Sequence, residues 1–314
     1  MIQPPLPPEL AADLQQVEQI VRARTSARAA VIRAADPYLL RPGEDRLRAA
    51  LVLLSAQVGT YQLAQTIHAA AAIELIHAAT RTHNDLVDEA ERRLGQTRRG
   101  EWNHGLSLMV GDYLFALAAG EMARSPDPRV ISYYSQAVMR ICESELAPVP
   151  ALRPLDKARE QYFAHTGGAA AALFSAACQA GAACGGLPAD QIEALAAYGH
   201  ALGLALRVGV ELRDFARGSA NGSSLAGESL RHGAATLPLI FAAAVGDGDR
   251  LELALNRGSA DRDWAVDEVR RHGVGPARAE MGRHAEAARA ALAGLPAGPA
   301  RAALDQIAAS AASA

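Results

Sequence analysis

The amino-acid sequence predicts an all-α fold, and three observations carry this prediction. Ala, Leu, Arg and Glu dominate the composition, and these residues favour helices. Alternating runs rich in Val, Ile and Thr, which are typical of strands, are almost absent. Only 4% of the residues are aromatic although 50% are hydrophobic, so the helices are expected to pack closely through Ala and Leu.

The expected helices are separated by short breaks rich in Gly and Pro, and the segments between them have about 15 to 30 residues. One long helix is predicted within 62–93, where Ile73, Ile76, Leu86 and Val87 recur at helical spacing. A second is predicted from Pro188 to about Arg217, and shorter helices are expected to complete the bundle. The breaks are expected at residues 37–43, 125–128, 148–154, 185–188, 218–227, 246–249, 273–276 and 294–299.

The chain is expected to form a single domain over residues 1–314, with a flexible Pro-rich N-terminus at 1–8, because no repeat or long linker divides it. Its 31 basic and 34 acidic side chains give a net charge of -3, which disfavours nucleic-acid binding. The segment 167–186 is too weakly hydrophobic for a transmembrane span, and residues 1–8 lack the charged and apolar regions of a signal peptide, so none is expected there. A cytoplasmic protein is therefore expected.

Cysteine and histidine patterns exclude several kinds of site. The three cysteines, Cys142, Cys178 and Cys184, form no C-x-x-C pair, which argues against a disulfide framework and predicts small buried core residues. The histidines form no H-E-x-x-H motif, which disfavours a zinc site.

One cluster of oxygen ligands stands out on the first long helix. Asp85 and Asp88 are three residues apart, and Asn84 lies one turn before Asp88, so these side chains share a helix face. Such oxygen atoms suit Mg²⁺, which in proteins commonly bridges carboxylates and substrate phosphates. The alternative is a solvated acidic helix surface.

The segment 72–89 resembles the first aspartate-rich region of the trans-prenyl diphosphate synthases, or polyprenyl synthetases. Further blocks resemble that family in the same order: 46–48, 110–114, Tyr162 with 172–182, 202–215 and 231–240. The resemblance implies an isoprenoid synthase-type helical bundle around a central cavity. It also implies a prenyltransferase of isoprenoid biosynthesis, which condenses isopentenyl diphosphate with an allylic diphosphate.

In the family, two aspartate-rich motifs on facing helices hold Mg²⁺. Here the aspartate positions of the second motif read Val210, Glu211 and Asp214, and those of the first include an amide. The resemblance therefore implies a degenerate metal site, with Mg²⁺ in reduced number or absent. The expected metal ligands are Asp85, Asp88, Glu211 and Asp214.

The phosphate-binding positions of the family are only partly retained. Lys157 is the sole lysine of the chain, and the four lysine positions of the family read Asp45, Ala169, Ser224 and Ala234. Arg81 and Arg207 stand where the family has leucine and glutamine, so guanidinium groups are expected to pair with the remaining carboxylates or to bind phosphate. The expected substrate-binding residues are Arg48, His77, Arg93, Asn84, Arg81 and Arg207.

Three hypotheses follow from these departures. The first is a divergent prenyl diphosphate synthase with weak or altered activity. The second is a non-catalytic subunit or interaction partner of an active synthase, so that the assembly is a homodimer or a heteromer. The third is a binding module that holds a phosphorylated or isoprenoid ligand through Arg48, Arg81 and Arg207.

Overall fold

The structure is a computed structural model, and it describes residues 6–26, 46–93, 104–216, 227–257 and 261–312. At residue 26 and within 84–93, 104–107 and 256–257 it describes the backbone alone. The described residues contain helices and no strand, which confirms the predicted all-α class.

Fourteen α-helices and two π-helices follow one another within the described ranges. The first half of the chain contains α1 (Leu10–Ser26), α2 (Leu47–Gln57), α3 (Leu63–Arg93), α4 (His104–Met122), α5 (Arg129–Glu145), α6 (Leu155–Thr166), π1 (Gly167–Ala171) and α7 (Ala172–Cys184). The second half contains α8 (Ala189–Ala216), α9 (Glu228–Arg231), α10 (Leu237–Val245), α11 (Gly248–Arg257), α12 (Arg262–Glu268), π2 (Val269–Gly273), α13 (Val274–Ala291) and α14 (Pro299–Ala312).

Both long helices predicted from the sequence are confirmed as α3 and α8. The predicted break at 273–276 is wrong, because α12, π2 and α13 run without interruption, and α13 is longer than the short helix expected there. Pro276 follows directly after π2, where the Val274 N–H bonds to the Val269 carbonyl, so the regular α-helical hydrogen-bond pattern is already interrupted before the proline.

Helix α7 forms the centre of the bundle and packs against α2, α3, α5 and α8. Its Gly181 allows a close approach, because a Cβ atom there would lie 2.1 Å from the Val52 carbonyl oxygen. Cys178 and Cys184 are buried as predicted, whereas Cys142 is exposed, so the prediction is wrong for that cysteine. It lies on the outer face of α5, away from the residues that this helix buries.

The segments α6, π1 and α7 form one helical stretch over Leu155–Cys184 that is long and apolar enough to cross a membrane by length and composition. The sequence prediction considered only 167–186 and did not foresee this. Within its apolar window, 67% is buried inside the structure, as in the core helix of a soluble protein.

The two helices that carry the aspartate-like motifs are held by the same neighbour. Both α3 and α8 pack against α7, while α2 packs against α3 and α7. The fold therefore places α2, α3 and α8 around one central helix.

Candidate functional site

The start of α2 is fixed against α3 by a buried glutamate. Glu74 of α3 is 7% exposed, and its carboxylate accepts a 3.0 Å hydrogen bond from the Ala49 backbone N–H in the first turn of α2. Its other oxygen lies 3.5 Å from an Arg46 terminal nitrogen. An anion at a helix N-terminus is favoured by the helix dipole, so this contact sets the direction in which the first residues of α2 emerge.

Arg48 and His77 lie near each other in this region, since the charge of Arg48 acts on the His77 imidazole. The Arg48 guanidinium is 4.4 Å from the centre of the Phe174 ring of α7, a cation–π contact that fixes its orientation. The pKa of His77 is held well below its usual value, first by burial and then by the charges of Arg48, Arg81 and Arg46.

We call Arg46, Arg48, His77 and Arg81 the arginine corner. Its α3 members continue the face of Glu74, since positions 74, 77 and 81 recur at helical spacing. Three guanidinium groups whose charges all act on one imidazole create a positive region, and guanidinium binds phosphate oxygens through strong charge-assisted hydrogen bonds. The corner can therefore bind and orient a phosphorylated ligand.

A second group of contacts surrounds Glu211 on α8. This carboxylate is 4% exposed, and it accepts hydrogen bonds from the Tyr162 hydroxyl at 3.0 Å and the Leu237 N–H at 2.9 Å. Arg207, one turn earlier on α8, donates its Nε–H to the other oxygen at 3.0 Å. We call Arg207, Glu211, Tyr162 and the Leu237 amide the Glu211 cluster.

The ionisation of the cluster follows from its burial and its charges. Burial raises the pKa of Glu211 above its ordinary value, and the positive charge of Arg207 opposes this rise. The negative charge of Glu211 raises the pKa of Arg207, so the guanidinium stays charged. The pKa of Tyr162 is also raised, by burial and by Glu211, so its hydroxyl remains a donor.

Asp214, one turn after Glu211, caps a short helix. Its carboxylate accepts the N–H groups of Glu228 at 2.9 Å and Ser229 at 3.0 Å, and also the Ser229 hydroxyl at 2.6 Å. Its backbone carbonyl accepts the Gly227 N–H at 3.1 Å. Asp214 thus holds the first residues of α9 against the end of α8.

A family-wide sequence profile described as "Polyprenyl synthetase" matches residues 29–270. The chain belongs to the polyprenyl synthetase family. It is 30% identical to the heptaprenyl diphosphate synthase component 2 of Geobacillus stearothermophilus over 234 residues, which cover 74% of this chain and 73% of that protein. It is also 30% identical to the nonaprenyl diphosphate synthase of Mycobacterium tuberculosis over 293 residues, covering 91% and 87%.

Solved structures of the family have the same fold. The decaprenyl diphosphate synthase of Rhodobacter capsulatus superposes with a TM-score of 0.84 at 32% identity, covering 97% of both chains. A polyprenyl synthase of Caulobacter crescentus, in complex with calcium and isoprenyl diphosphate, has a TM-score of 0.85 at 30% identity, covering 98% of this chain and 96% of that one. The resemblance drawn from the motifs is confirmed, and the chain is a polyprenyl synthetase-like protein of isoprenoid biosynthesis.

Members of the polyprenyl synthetase family generally use Mg²⁺, but the second motif of this chain does not fit a metal ion. The Glu211 carboxylate is buried and bonded to three donors, and the Asp214 carboxylate is bonded to two amides and a hydroxyl. Val210 supplies no ligand atom. Across the described ranges, no group of three or more His, Cys, Asp or Glu side chains could hold a metal.

The other predicted positions divide into three sets. Ala169 and Ala170, at the family's Lys-Thr pair, are half-buried in π1, and Ala234 follows α9. Asp45 and Ser224 lie outside the described residues. Asn84, Asp85, Asp88 and Arg93 lie on the last turns of α3, but their side chains are outside the described part of the structure.

Sequence reasoning missed two residues that organise the site. Glu74 lies three residues before His77, so helical spacing alone could have placed it beside the arginine corner. Phe174 lies in the family-like block 172–182, but no local pattern in the sequence indicates that Arg48 stacks on its ring.

Proposed function

We propose that this polyprenyl synthetase binds isoprenyl diphosphates in the cytoplasm, condenses them slowly by itself, and works as a subunit beside an intact prenyl diphosphate synthase. The observation that carries the proposal is the state of Glu211. A carboxylate that is 4% exposed and held by three donors serves the fold instead of a metal ion.

The chain retains groups that suit substrate binding. In the proposal, the arginine corner binds a diphosphate group, and Arg48 is held in place by the Phe174 ring. His77 stays neutral at neutral pH because its pKa is lowered, so it can donate one hydrogen bond to a phosphate oxygen. Asn84 and Arg93 are proposed to complete the substrate site from the last turns of α3.

Slow turnover follows from the missing contacts. Each charge-assisted hydrogen bond to a phosphate contributes about 1.5–3 kcal/mol. The chain lacks lysine at Asp45, Ala169, Ser224 and Ala234, and the second motif lacks metal ligands. The sum of such losses lowers turnover by several orders of magnitude, since each factor of ten corresponds to about 1.4 kcal/mol.

A subunit role is supported by a relative and by a surface. The Geobacillus relative is named as component 2 of its synthase, a name that implies another component. On this chain, α4 and α5 each expose large apolar side chains, and exposed apolar surface favours a protein contact. They are Leu108, Met109, Ile131 and Met139.

The second candidate is an independent Mg²⁺-dependent synthase, assembled as a homodimer. It is favoured by the arginine corner and by Asp85 and Asp88, which remain on one face of α3. A Mg²⁺ ion at these two carboxylates would neutralise charge on the departing diphosphate.

Turnover measured with and without a partner separates the two candidates. The purified chain is incubated with Mg²⁺, isopentenyl diphosphate and allylic diphosphates of several lengths, alone and with an intact synthase subunit from the same host. We expect product formation by the chain alone to be at least a thousandfold slower than that of ordinary synthases. Copurification with the intact subunit is also expected. A homodimer that turns over rapidly by itself would contradict the proposal and support the second candidate.

A further inference from the structure

The exposed face of α8 next to the Glu211 cluster presents a cation. The Arg207 side chain is 46% exposed, and Val210, one turn later, is 45% exposed. Glu211 points inward and is buried. Val210 therefore presents an accessible valine where the family has aspartate. Arg207 presents an accessible guanidinium where the family has glutamine.

The guanidinium retains donors for a ligand. Its bond to Glu211 uses Nε, which leaves the four N–H groups of its two terminal nitrogens for other acceptors. The Glu211 charge is also shared with the Tyr162 hydroxyl and the Leu237 amide. Glu211 therefore holds the guanidinium in place, and the negative charge of Glu145 on α5 also acts on it.

The neighbouring element π1 packs closely against α8 just before Arg207. Gly203, one turn before Arg207, lies so close to π1 that a Cβ atom there would be 2.8 Å from the Ala171 Cα. The preceding π1 residues, Ala169 and Ala170, carry only methyl groups where the family has lysine and threonine. The lysine of the family is thus absent from π1, and Arg207 stands instead on α8, the helix that packs against π1.

We propose that Arg207 binds the diphosphate group of an isoprenyl substrate directly, in the place where the second aspartate motif of the family would hold a metal ion. The planar guanidinium fork suits this task because it can bind two phosphate oxygens at once. Phosphate binding on the α8 side of the site is then independent of Mg²⁺. The inference rests on the proposed function in one respect, that the chain binds isoprenyl diphosphates.

Calorimetric titration with inorganic pyrophosphate and with farnesyl diphosphate, in EDTA, tests the proposal. We expect the unmodified protein to bind both ligands without metal, and Arg207→Gln to weaken binding by about tenfold or more. Arg207→Lys keeps the charge but loses the fork, so its affinity should be intermediate. Arg22→Gln is the matched control, because Arg22 also pairs with a glutamate four residues away, but on α1.

A second variant tests whether Glu211 binds metal. Glu211→Gln keeps an acceptor for the Leu237 amide and removes the carboxylate charge. We expect it to bind pyrophosphate in EDTA at least as tightly as the unmodified protein, and to respond equally to added Mg²⁺. A Mg²⁺ response that disappears in Glu211→Gln would overturn the proposal, and so would an absence of binding in EDTA by the unmodified protein.

The folded state of each variant is checked by circular dichroism and thermal melting. If Arg207→Gln does not fold, the double variant Arg207→Gln with Glu211→Gln removes the buried unpaired charge and should lose the same affinity. A folded variant that lacks Arg207 and binds pyrophosphate at full affinity would overturn the proposal. Rapid turnover by the chain alone would contradict only the proposed function, so the two failures are distinguishable.

Discussion

At the residue scale, Glu211 connects three separate parts of the chain. Tyr162 comes from α6, Arg207 from α8 and the Leu237 amide from the first turn of α10. A buried carboxylate without such donors would be strongly unfavourable, because burial penalises the charged form. The donors therefore make the buried position of Glu211 possible, and they tie α6 and α10 to α8.

Removing one donor should weaken the fold by a measurable amount. Tyr162→Phe deletes the hydroxyl and leaves Glu211 with two donors, so we expect the free energy of unfolding to fall by about 1.5–3 kcal/mol. Urea unfolding followed by circular dichroism gives this value. Tyr133→Phe, at a half-buried tyrosine on α5, is the control. A similar small effect in both variants would mean that the Tyr162 hydrogen bond to Glu211 contributes little to stability.

His77 makes the stability of the protein depend on pH in a defined direction. Its pKa is lowered in the folded state, whereas the unfolded chain has the ordinary value of about 6.5. Below about pH 6.5 the unfolded state therefore binds more protons than the folded state, and the free energy of unfolding decreases as the pH falls.

The contribution of His77 is isolated by comparison with a variant that does not titrate. Between pH 7.5 and pH 5, we expect the unmodified protein to lose more stability than His77→Gln does. Urea midpoints at several pH values give both curves. Parallel curves would show that the pKa of His77 is not lowered in the folded state.

At the element scale, π2 lies where the long helical stretch of α12 and α13 contacts α10. The helical stretch from α12 through α13 passes close to α10, and Gly273 lies at the contact. A Cβ atom at this position would lie 1.9 Å from the Pro238 carbonyl oxygen. This backbone approach explains why a glycine occurs in the interior of a helix, where it is otherwise unfavourable.

Gly273→Ala should destabilise the protein by more than about 2 kcal/mol, because the clash involves backbone and not a flexible side chain. Gly275→Ala is a matched control two residues along the same helical stretch, and its Cβ would meet no atom within 4 Å. We expect this control to leave stability unchanged or to raise it by up to about 1 kcal/mol. Equal melting temperatures for the two variants would contradict the close contact with Pro238.

The π2 region also shows what sequence patterns miss. Gly273 and Pro276 predict a break by local rules, yet the chain continues as a helix, with Pro276 just after π2 and Gly273 against the Pro238 carbonyl. Helices α3 and α8 were predicted well because their apolar residues recur at helical spacing over many turns.

At the scale of the whole molecule, the fold class and family could be predicted from motifs in the correct order. The partners of the motif residues could not, because they lie far away in the sequence. Glu211 bonds Tyr162 and Leu237, which are 49 and 26 residues distant. Helical spacing reports which residues share a face, but it does not report which side chain of another helix meets that face.

The Glu211 cluster also constrains which substitutions the chain tolerates. Glutamine at position 207 would remove the ion-pair partner of a buried carboxylate, and aspartate at position 211 would shorten a side chain that contacts three helices. A buried carboxylate that loses its ion-pair partner is strongly unfavourable. Each single substitution toward the aspartate-rich motif of the family therefore weakens the fold, so introducing that motif requires several substitutions together.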